Sequence, residues 1–242
     1  MNVLEHLNQQ TIVPLEVGGV DLSITNGVTT LWLAAALVFL FFYSLSKRLK
    51  TIPGKLQNAT EVVIGFIQSE VASQIHTDRE KWLPFLITLF FFILFNNLLG
   101  LVPLLSGPTT NINVTAALAI IVFLTVQATG VVKHGPLGYF KSMIPSGVPL
   151  PIAVFLFPVE IVSQFAKPFS LAVRLFANMF AGHAVMLLII SLIFLFKSYL
   201  ILPLPIIGNT AIMMFEIFVA FIQAFVFTYL SALYIATAQE GH

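Results

Sequence analysis

Long apolar stretches separated by short polar segments run through the sequence. Three of them, residues 28 to 46, 83 to 105 and 111 to 132, match the length of about 20 mostly apolar residues that a membrane-spanning helix needs. Two more, residues 151 to 196 and 199 to 238, are too long for a perpendicular crossing at a rise of ~1.5 Å per residue. These two predict strongly tilted or kinked helices, and Pro168 is the candidate kink position. The pattern therefore predicts an all-α integral membrane protein with about five transmembrane helices.

Between the first two apolar stretches, residues 56 to 77 mix apolar and polar side chains. Val, Ile and Phe are interspersed there with Glu61, Gln68 and Glu70. This mixture predicts an amphipathic helix that lies along the inner membrane surface. A helix that packs a polar face against the rest of the protein fits the same pattern, so both interpretations stay open.

Basic residues predict the orientation, because short inner loops carry more Lys and Arg than outer loops. Residues 1 to 27 contain neither, whereas Lys47, Arg48 and Lys50 follow the first apolar stretch. Residues 1 to 27 are therefore expected to form an outer N-terminal segment, and residues 28 to 242 a single transmembrane helical domain that ends inside. Lys197 is the one basic residue on the unexpected side.

Composition narrows the possible functions. Hydrophobic residues make up 58% of the 242 and charged residues 9%, against about 25% charged in soluble domains. Eleven Lys and Arg nearly balance ten Asp and Glu, so nothing indicates a nucleic-acid surface. Cysteine is absent and the five histidines are scattered, so neither a metal site nor another cofactor is expected.

Glu160, Lys167 and Arg174 recur every seven positions in the first of the two long stretches. A spacing of seven returns to nearly the same helix face, with a drift of about 20° per step, so these side chains form one stripe. Gln164 and Asn178 lie one turn from Glu160 and Arg174 and widen this stripe. Lys167 is interpreted as a lysine that extends toward the inner interface.

A second polar line follows the last stretch, where Glu216 and Gln223 are seven apart and Tyr234 is eleven further. His183 is nine residues after Arg174, roughly 180° around an ideal helix, and is expected to face another direction. If the two long helices form an antiparallel hairpin, His183 and Glu216 both lie near its outer end. A His and a Glu within reach of water can pass protons, because imidazole titrates near neutral pH.

Arg174 is a permanent cation in an apolar run. Such a charge costs at least about 2.5 kcal/mol in a membrane on insertion scales and usually marks an ion pathway or an internal ion pair. No acidic residue is near it on the same face, so a carboxylate on a partner helix is its natural counter-charge. The attraction would be about 4 kcal/mol at ~4 Å and an effective dielectric constant of about 20.

The helical rise places Arg174 between two titratable residues, about 13 Å along the axis from His183 and about 21 Å from Glu160. We interpret Arg174 as the barrier between these two residues. A structural ion pair is the alternative for Arg174, and a purely structural couple is the alternative for His183 with Glu216. The asparagines of the first three stretches are interpreted as helix-to-helix hydrogen-bonding residues, namely Asn96, Asn97, Asn111 and Asn113.

The segments PFSLAVRLFANMFAGH, residues 168 to 183, and EIFVAFIQAFVFTYLSALYIA, residues 216 to 236, resemble subunit a of rotary F-type ATP synthases. The resemblance includes LFNNLLGLVP and covers the whole predicted membrane part, but little of residues 1 to 27. It implies a proton-translocating stator subunit in a bacterial or mitochondrial inner membrane. The implied partners are the c-ring, the subunit b peripheral stalk and the rest of the F1Fo complex.

The resemblance also implies residue roles. Arg174 matches the essential arginine that faces the carboxylates of the c-ring and separates two offset half-channels. The outer half-channel would contain Asn178, His183, Glu216 and Gln223, the inner one Glu160 and Ser163, and Tyr234 matches a further polar position.

The order of the His and Glu pair matches mitochondrial and some related bacterial members of this family. His183 follows AG and Glu216 comes later, the reverse of a commonly described bacterial pattern. The swap leaves open which of the two accepts the proton first. No nucleotide-binding motif occurs, so this subunit is expected to be non-catalytic, with the ATP chemistry in other subunits.

Two other classes of protein were considered. A secondary ion-coupled transporter is the alternative, but the repeated halves and paired broken helices typical of such proteins are not visible. An intramembrane hydrolase would need a nucleophile with a base, or a metal motif such as HExxH, and neither occurs.

Overall fold

The computed structural model describes residues 11–14, 16–17, 20–21, 23–47, 49–102, 105, 107–142, 149–196 and 203–240. Over these residues the chain forms seven α-helices and four short β-strands. The helices are α1 (Asn26–Lys47), α2 (Lys55–Phe66), α3 (Arg79–Gly100), α4 (Ile112–His134), α5 (Pro136–Ser142), α6 (Leu150–Phe196) and α7 (Pro203–Glu240).

Among the described residues, five helices are long and apolar enough to cross a membrane. They are α1, α3, α4, residues 152–191 of α6, and α7. This confirms the predicted class, an all-α membrane protein with five candidate spans.

The four strands precede α1. Strand β1 (Thr11–Val13) pairs antiparallel with β4 (Ile24–Thr25), and β2 (Glu16–Val17) pairs antiparallel with β3 (Val20–Asp21). The two ladders are separate two-stranded sheets, with a bulge or irregularity in β1. The sequence pattern predicted no strand here, because strands of two or three residues are too short to show alternation.

Helix α3 begins and ends earlier than the stretch predicted at residues 83 to 105. Asp78 precedes it with a left-handed backbone, φ 57°, and accepts a hydrogen bond of 3.0 Å from the Lys81 amide. The Lys81 ammonium lies 2.7 Å from the Asp78 carboxylate, and this hydrogen bond holds the pKa of Asp78 below its usual value. At the other end the amides of Leu101 and Val102 bind carbonyls only three residues back, so the α-helix closes at Gly100.

The predicted amphipathic segment consists of three successive helical forms. Helix α2 continues as a π-helical turn, Ile67–Val71, and then as a 3₁₀ turn, Ala72–Gln74. Its buried residues include polar ones, and Gln57 binds both the Lys50 backbone and the Glu61 carboxylate. Its exposed residues include the apolar Leu56 and Val62. Polar residues such as Glu61 and Gln68 are exposed beside them, so both interpretations stay open and the place of this segment on the inner surface stays a prediction.

Helix α6 runs through Pro158 and Pro168 without interruption. Pro168 donates no amide hydrogen bond, so the Gln164 carbonyl lacks its usual helical partner, although the helix continues. Helix α7 is described from Pro203, so the predicted residues 199 to 202 and Lys197 lie outside the described residues.

The chain divides into two compact units, and α3, α6 and α7 each contribute to both. The first unit comprises residues 1–47, 91–112 and 175–224, and its core includes Ala34, Ile93, Leu175, Met179 and Ala220. The second unit comprises residues 48–90, 113–174 and 225–242, and its core includes Ile67, Phe90, Val122, Phe227 and Ile235.

Candidate functional site

The first unit contains a His and Glu cluster built on α3, α6 and α7. Glu216 of α7 is buried, with 6% of its surface exposed. Its carboxylate packs directly on the backbone of Gly182 in α6, where a side-chain methyl group would overlap Oε1. His183 follows Gly182 and is within electrostatic range of Glu216. The two residues expected to meet therefore lie close together within this unit.

The imidazole ring of His183 is fixed by backbone carbonyls. Nδ1 lies 2.8 Å from the Met179 carbonyl oxygen, one turn back in α6. Nε2 lies 2.7 Å from the carbonyl oxygen of Gly100, the last residue of α3. These contacts join α6 to the end of α3, a partner that the spacing of polar residues did not reveal.

Other polar residues of α3, α6 and α7 lie in the same unit. Gln223 is buried and Asn178 is half-buried. Asn97 of α3 donates a hydrogen bond of 3.4 Å to the Ala220 carbonyl of α7, as expected for a helix-to-helix contact. Asn96 instead bonds to the Phe92 carbonyl of its own helix, at 2.7 Å. Among the described residues, Glu216 Oε2 has no hydrogen-bond partner, so the carboxylate retains a free acceptor in a buried position.

The second unit contains a different polar cluster around Glu160 of α6. Lys167 Nζ lies 3.7 Å from Glu160 Oε1, and both side chains are largely buried. The same Glu160 oxygen accepts a hydrogen bond of 3.3 Å from Gln164. The spacing of seven correctly placed these charged residues on one face. Lys167 pairs with Glu160, and its extension toward the inner interface stays a prediction.

Two residues from other helices join this cluster. Gln127 of α4 donates a hydrogen bond of 3.3 Å to Gln164. The Lys167 ammonium lies 5.7 Å from the ring centroid of Tyr234 in α7. Gln127 was missed by the sequence analysis, although a lone glutamine in the apolar run VFLTVQATG was a usable signal. Ser163 is half-buried beside these groups on α6.

Arg174 is exposed, unlike the charged residues of either cluster. Within the described part of the chain it forms no ion pair and no hydrogen bond. Its one recorded electrostatic neighbour is Tyr234, which is half-buried. The structural ion pair considered as an alternative for Arg174 is thus not present among the described residues. In that same part of the chain no group of His, Asp and Glu has the arrangement of a metal site.

These features define a class of protein: a multi-pass membrane protein with buried titratable groups on two long helices. An exposed arginine, Arg174, lies between Glu160 and His183 in the sequence and is unpaired among the described residues. Comparison with known proteins gives the family. Residues 28–236 match the family model described as ATP synthase A chain, and the chain belongs to this family.

Several curated relatives carry the name ATP synthase subunit a. The one from Chloroherpeton thalassium is 44% identical over 94% of this chain and 71% of the relative. The one from Magnetococcus marinus is 41% identical over 100% of this chain and 94% of the relative. The one from Paramagnetospirillum magneticum is 37% identical over 100% of this chain and 99% of the relative. Membership of this family makes the chain a stator subunit of the proton-translocating membrane sector of an ATP synthase.

Proposed function

We propose that this chain conducts protons to and from the carboxylates of a c-ring through two offset half-channels, with Arg174 as the cation that separates them. The single observation that carries this proposal is the state of Arg174, which is exposed and unpaired within the described residues. An arginine left unpaired at membrane depth is costly, so it needs an anion on a partner. A c-ring carboxylate has the required charge.

The buried clusters supply the two half-channels. Asn178, His183, Glu216 and Gln223 form the outer one, because they include a buried carboxylate with a free acceptor oxygen beside a histidine. Glu160 and Ser163 form the inner one, together with Lys167 and Gln164. Protons on one side can then reach the rotor without a continuous pore, since Arg174 favours the ionised form of any carboxylate that passes it.

Partners and orientation follow from the same proposal. The chain contacts the c-ring through the side of α6 that exposes Arg174, and the subunit b peripheral stalk holds it in place. The N-terminus lies outside, because residues 1 to 27 contain no Lys or Arg and basic residues follow α1. The C-terminus lies on the cytoplasmic or matrix side.

The test replaces Arg174 with Ala in membrane vesicles that contain the whole complex. We expect the complex to assemble and ATP-driven proton pumping to be lost, because no cation then forces the rotor carboxylate to release its proton. Lys55→Ala is the matched control, since Lys55 is an exposed cation at the first residue of α2. Normal pumping by the Arg174→Ala complex would refute the proposed role.

A further inference from the structure

Both ring nitrogens of His183 face carbonyl oxygens at hydrogen-bonding distance, 2.8 Å for Nδ1 and 2.7 Å for Nε2. A backbone carbonyl only accepts hydrogen bonds. A neutral imidazole carries one N–H, so in either tautomer one of these contacts would set a nitrogen lone pair against an oxygen lone pair. The imidazolium, with two N–H groups, satisfies both contacts.

The position of the Gly100 carbonyl is a second reason to expect a positive charge on His183. Gly100 is the last residue of α3, so its carbonyl belongs to the group that lacks partners within the helix. The carbonyl end of a helix carries a partial negative charge and stabilises His⁺ beside it. His183 Nε2 points at this end.

Two glycines shape the slot that holds the ring. A Cβ atom placed on Gly100 or on Gly107 would lie 3.2 Å from the Cα atom of the other glycine and 3.6 Å from His183 Cε1. Side chains at these positions would therefore push the two backbone segments apart and lengthen the bond to the Gly100 carbonyl. The ring is held at both nitrogens, and the two glycines leave room beside the carbon between them.

Glu216 lies within electrostatic range of this ring. Its side chain is buried on Gly182, and its Oε2 has no hydrogen-bond partner among the described residues. Among the residues of the first unit whose side chains the structure describes, it is the one acidic residue. Hence Glu216 has a free oxygen that can take a proton, whereas both nitrogens of His183 are occupied.

We propose that His183 is a fixed imidazolium whose charge balances that of Glu216, and that Glu216 alone takes up and releases the proton in the outer half-channel. This inference rests on the proposed function. A proton from the outer side binds the Glu216 carboxylate and forms a carboxylic O–H bond. The same proton leaves for the ionised carboxylate of the rotor, and Glu216 is again an anion. His183 keeps both N–H bonds throughout, so it acts on Glu216 through its charge and is not a relay.

The direct test is nitrogen-15 NMR of histidine-labelled protein in the assembled complex. The signals of His183 are identified as those missing from a His183→Gln sample. We expect two hydrogen-bearing ring nitrogens from about pH 6 to about pH 8, a range in which an ordinary histidine loses its charge. A ring nitrogen without hydrogen at about pH 8 would overturn the inference.

A pair of glycine variants tests the slot. Gly107→Ala must part the backbone segments, so we expect a partial loss of ATP-driven pumping and the appearance of a neutral ring signal near pH 8. Gly208→Ala is the matched control, because a Cβ atom there would contact only Ile189, at 3.9 Å. If Gly107→Ala assembles with an unchanged spectrum and unchanged pumping, the slot does not hold the charge and the inference is wrong.

The two proposals fail in different measurements. Normal pumping by Arg174→Ala would refute the half-channel function, whatever the histidine spectrum shows. A neutral His183 in a complex that needs Arg174 for pumping would refute only the fixed imidazolium.

Discussion

Gly182 places its backbone against the Glu216 carboxylate, where a methyl group would overlap Oε1. Gly182→Ala must therefore move the carboxylate or part α6 from α7. The overlapping atoms belong to the end of a flexible side chain, so the complex should still assemble with the Glu216 carboxylate displaced. We expect ATP-driven pumping to fall roughly ten-fold, because a misplacement of about 1 Å can cost up to about 10²-fold in rate.

Pumping in vesicles, normalised to the amount of assembled complex, measures this effect. Gly65→Ala is its control, because no atom lies within 4 Å of a Cβ atom placed there. Wild-type pumping by Gly182→Ala would show that the position of Glu216 does not matter for proton transfer.

At the residue scale, spacing predicted which side chains share a helix face, but not their backbone partners. The interval of seven placed Glu160 and Lys167 together, and their side chains meet at 3.7 Å. No sequence interval could reveal that the Gly100 carbonyl binds His183, because that contact joins residues 83 positions apart. The functional role of each residue stays a prediction until the variants are measured.

The short helix α5 packs against α4 at a glycine. Tyr139 of α5 is buried on Gly130 of α4, and a methyl group at Gly130 would overlap its ring. We expect Gly130→Ala to displace α5 and to speed amide exchange of residues 136 to 142 about ten-fold, equivalent to about 1.4 kcal/mol. Hydrogen exchange followed by mass spectrometry measures this, with Gly138→Ala as control, since its Cβ atom would contact only His134, at 3.5 Å. Unchanged exchange in Gly130→Ala would contradict the expected docking.

The contact between Tyr139 and Gly130 also predicts that the docking of α5 depends on pH. Burial raises the pKa of the Tyr139 phenol above its ordinary value of 10.0. The undocked phenol therefore loses its proton at lower pH than the docked one, so docking is fully stable below about pH 10 and weakens as pH rises above it. Amide exchange of α5 that stays slow well above that pH would contradict this.

At the scale of helices, apolar length predicted the five candidate spans but not every end. Helix α3 closes at Gly100, before the end of its apolar stretch, because the following amides turn back to carbonyls three residues away. The end matters for the site, since it leaves the Gly100 carbonyl for His183. The helix likewise changes from α to π at Ile67. The residues around this change would be equally common in an ordinary α-helix, so the sequence did not predict it. Local backbone geometry of this kind has no composition signal.

At the scale of the whole molecule, the part of the chain that the structure describes contains two polar clusters, one in each compact unit. The first unit holds the His183 and Glu216 cluster, and the second holds the Glu160 and Lys167 cluster. Each cluster is proposed to serve one of the two half-channels. The sequence predicted most residues of both sets, but it could not show that each set packs within its own unit, because that depends on contacts among three helices in each unit.

The orientation of the whole molecule decides which cluster meets which aqueous side. The chain contains no cysteine, so a single introduced cysteine reports its side through a thiol reagent that does not cross membranes. Ile12 in β1 and Thr77 before α3 are both exposed and lie on opposite sides of α1 in the sequence. We expect Ile12→Cys to react only from outside and Thr77→Cys only from inside, because the basic residues follow α1. Vesicles of both orientations, with the cysteine-free chain as control, make the comparison complete. Reaction of both variants from the same side would overturn the predicted topology, and the opposite pattern would exchange the outer and inner half-channels without changing the residues that form them.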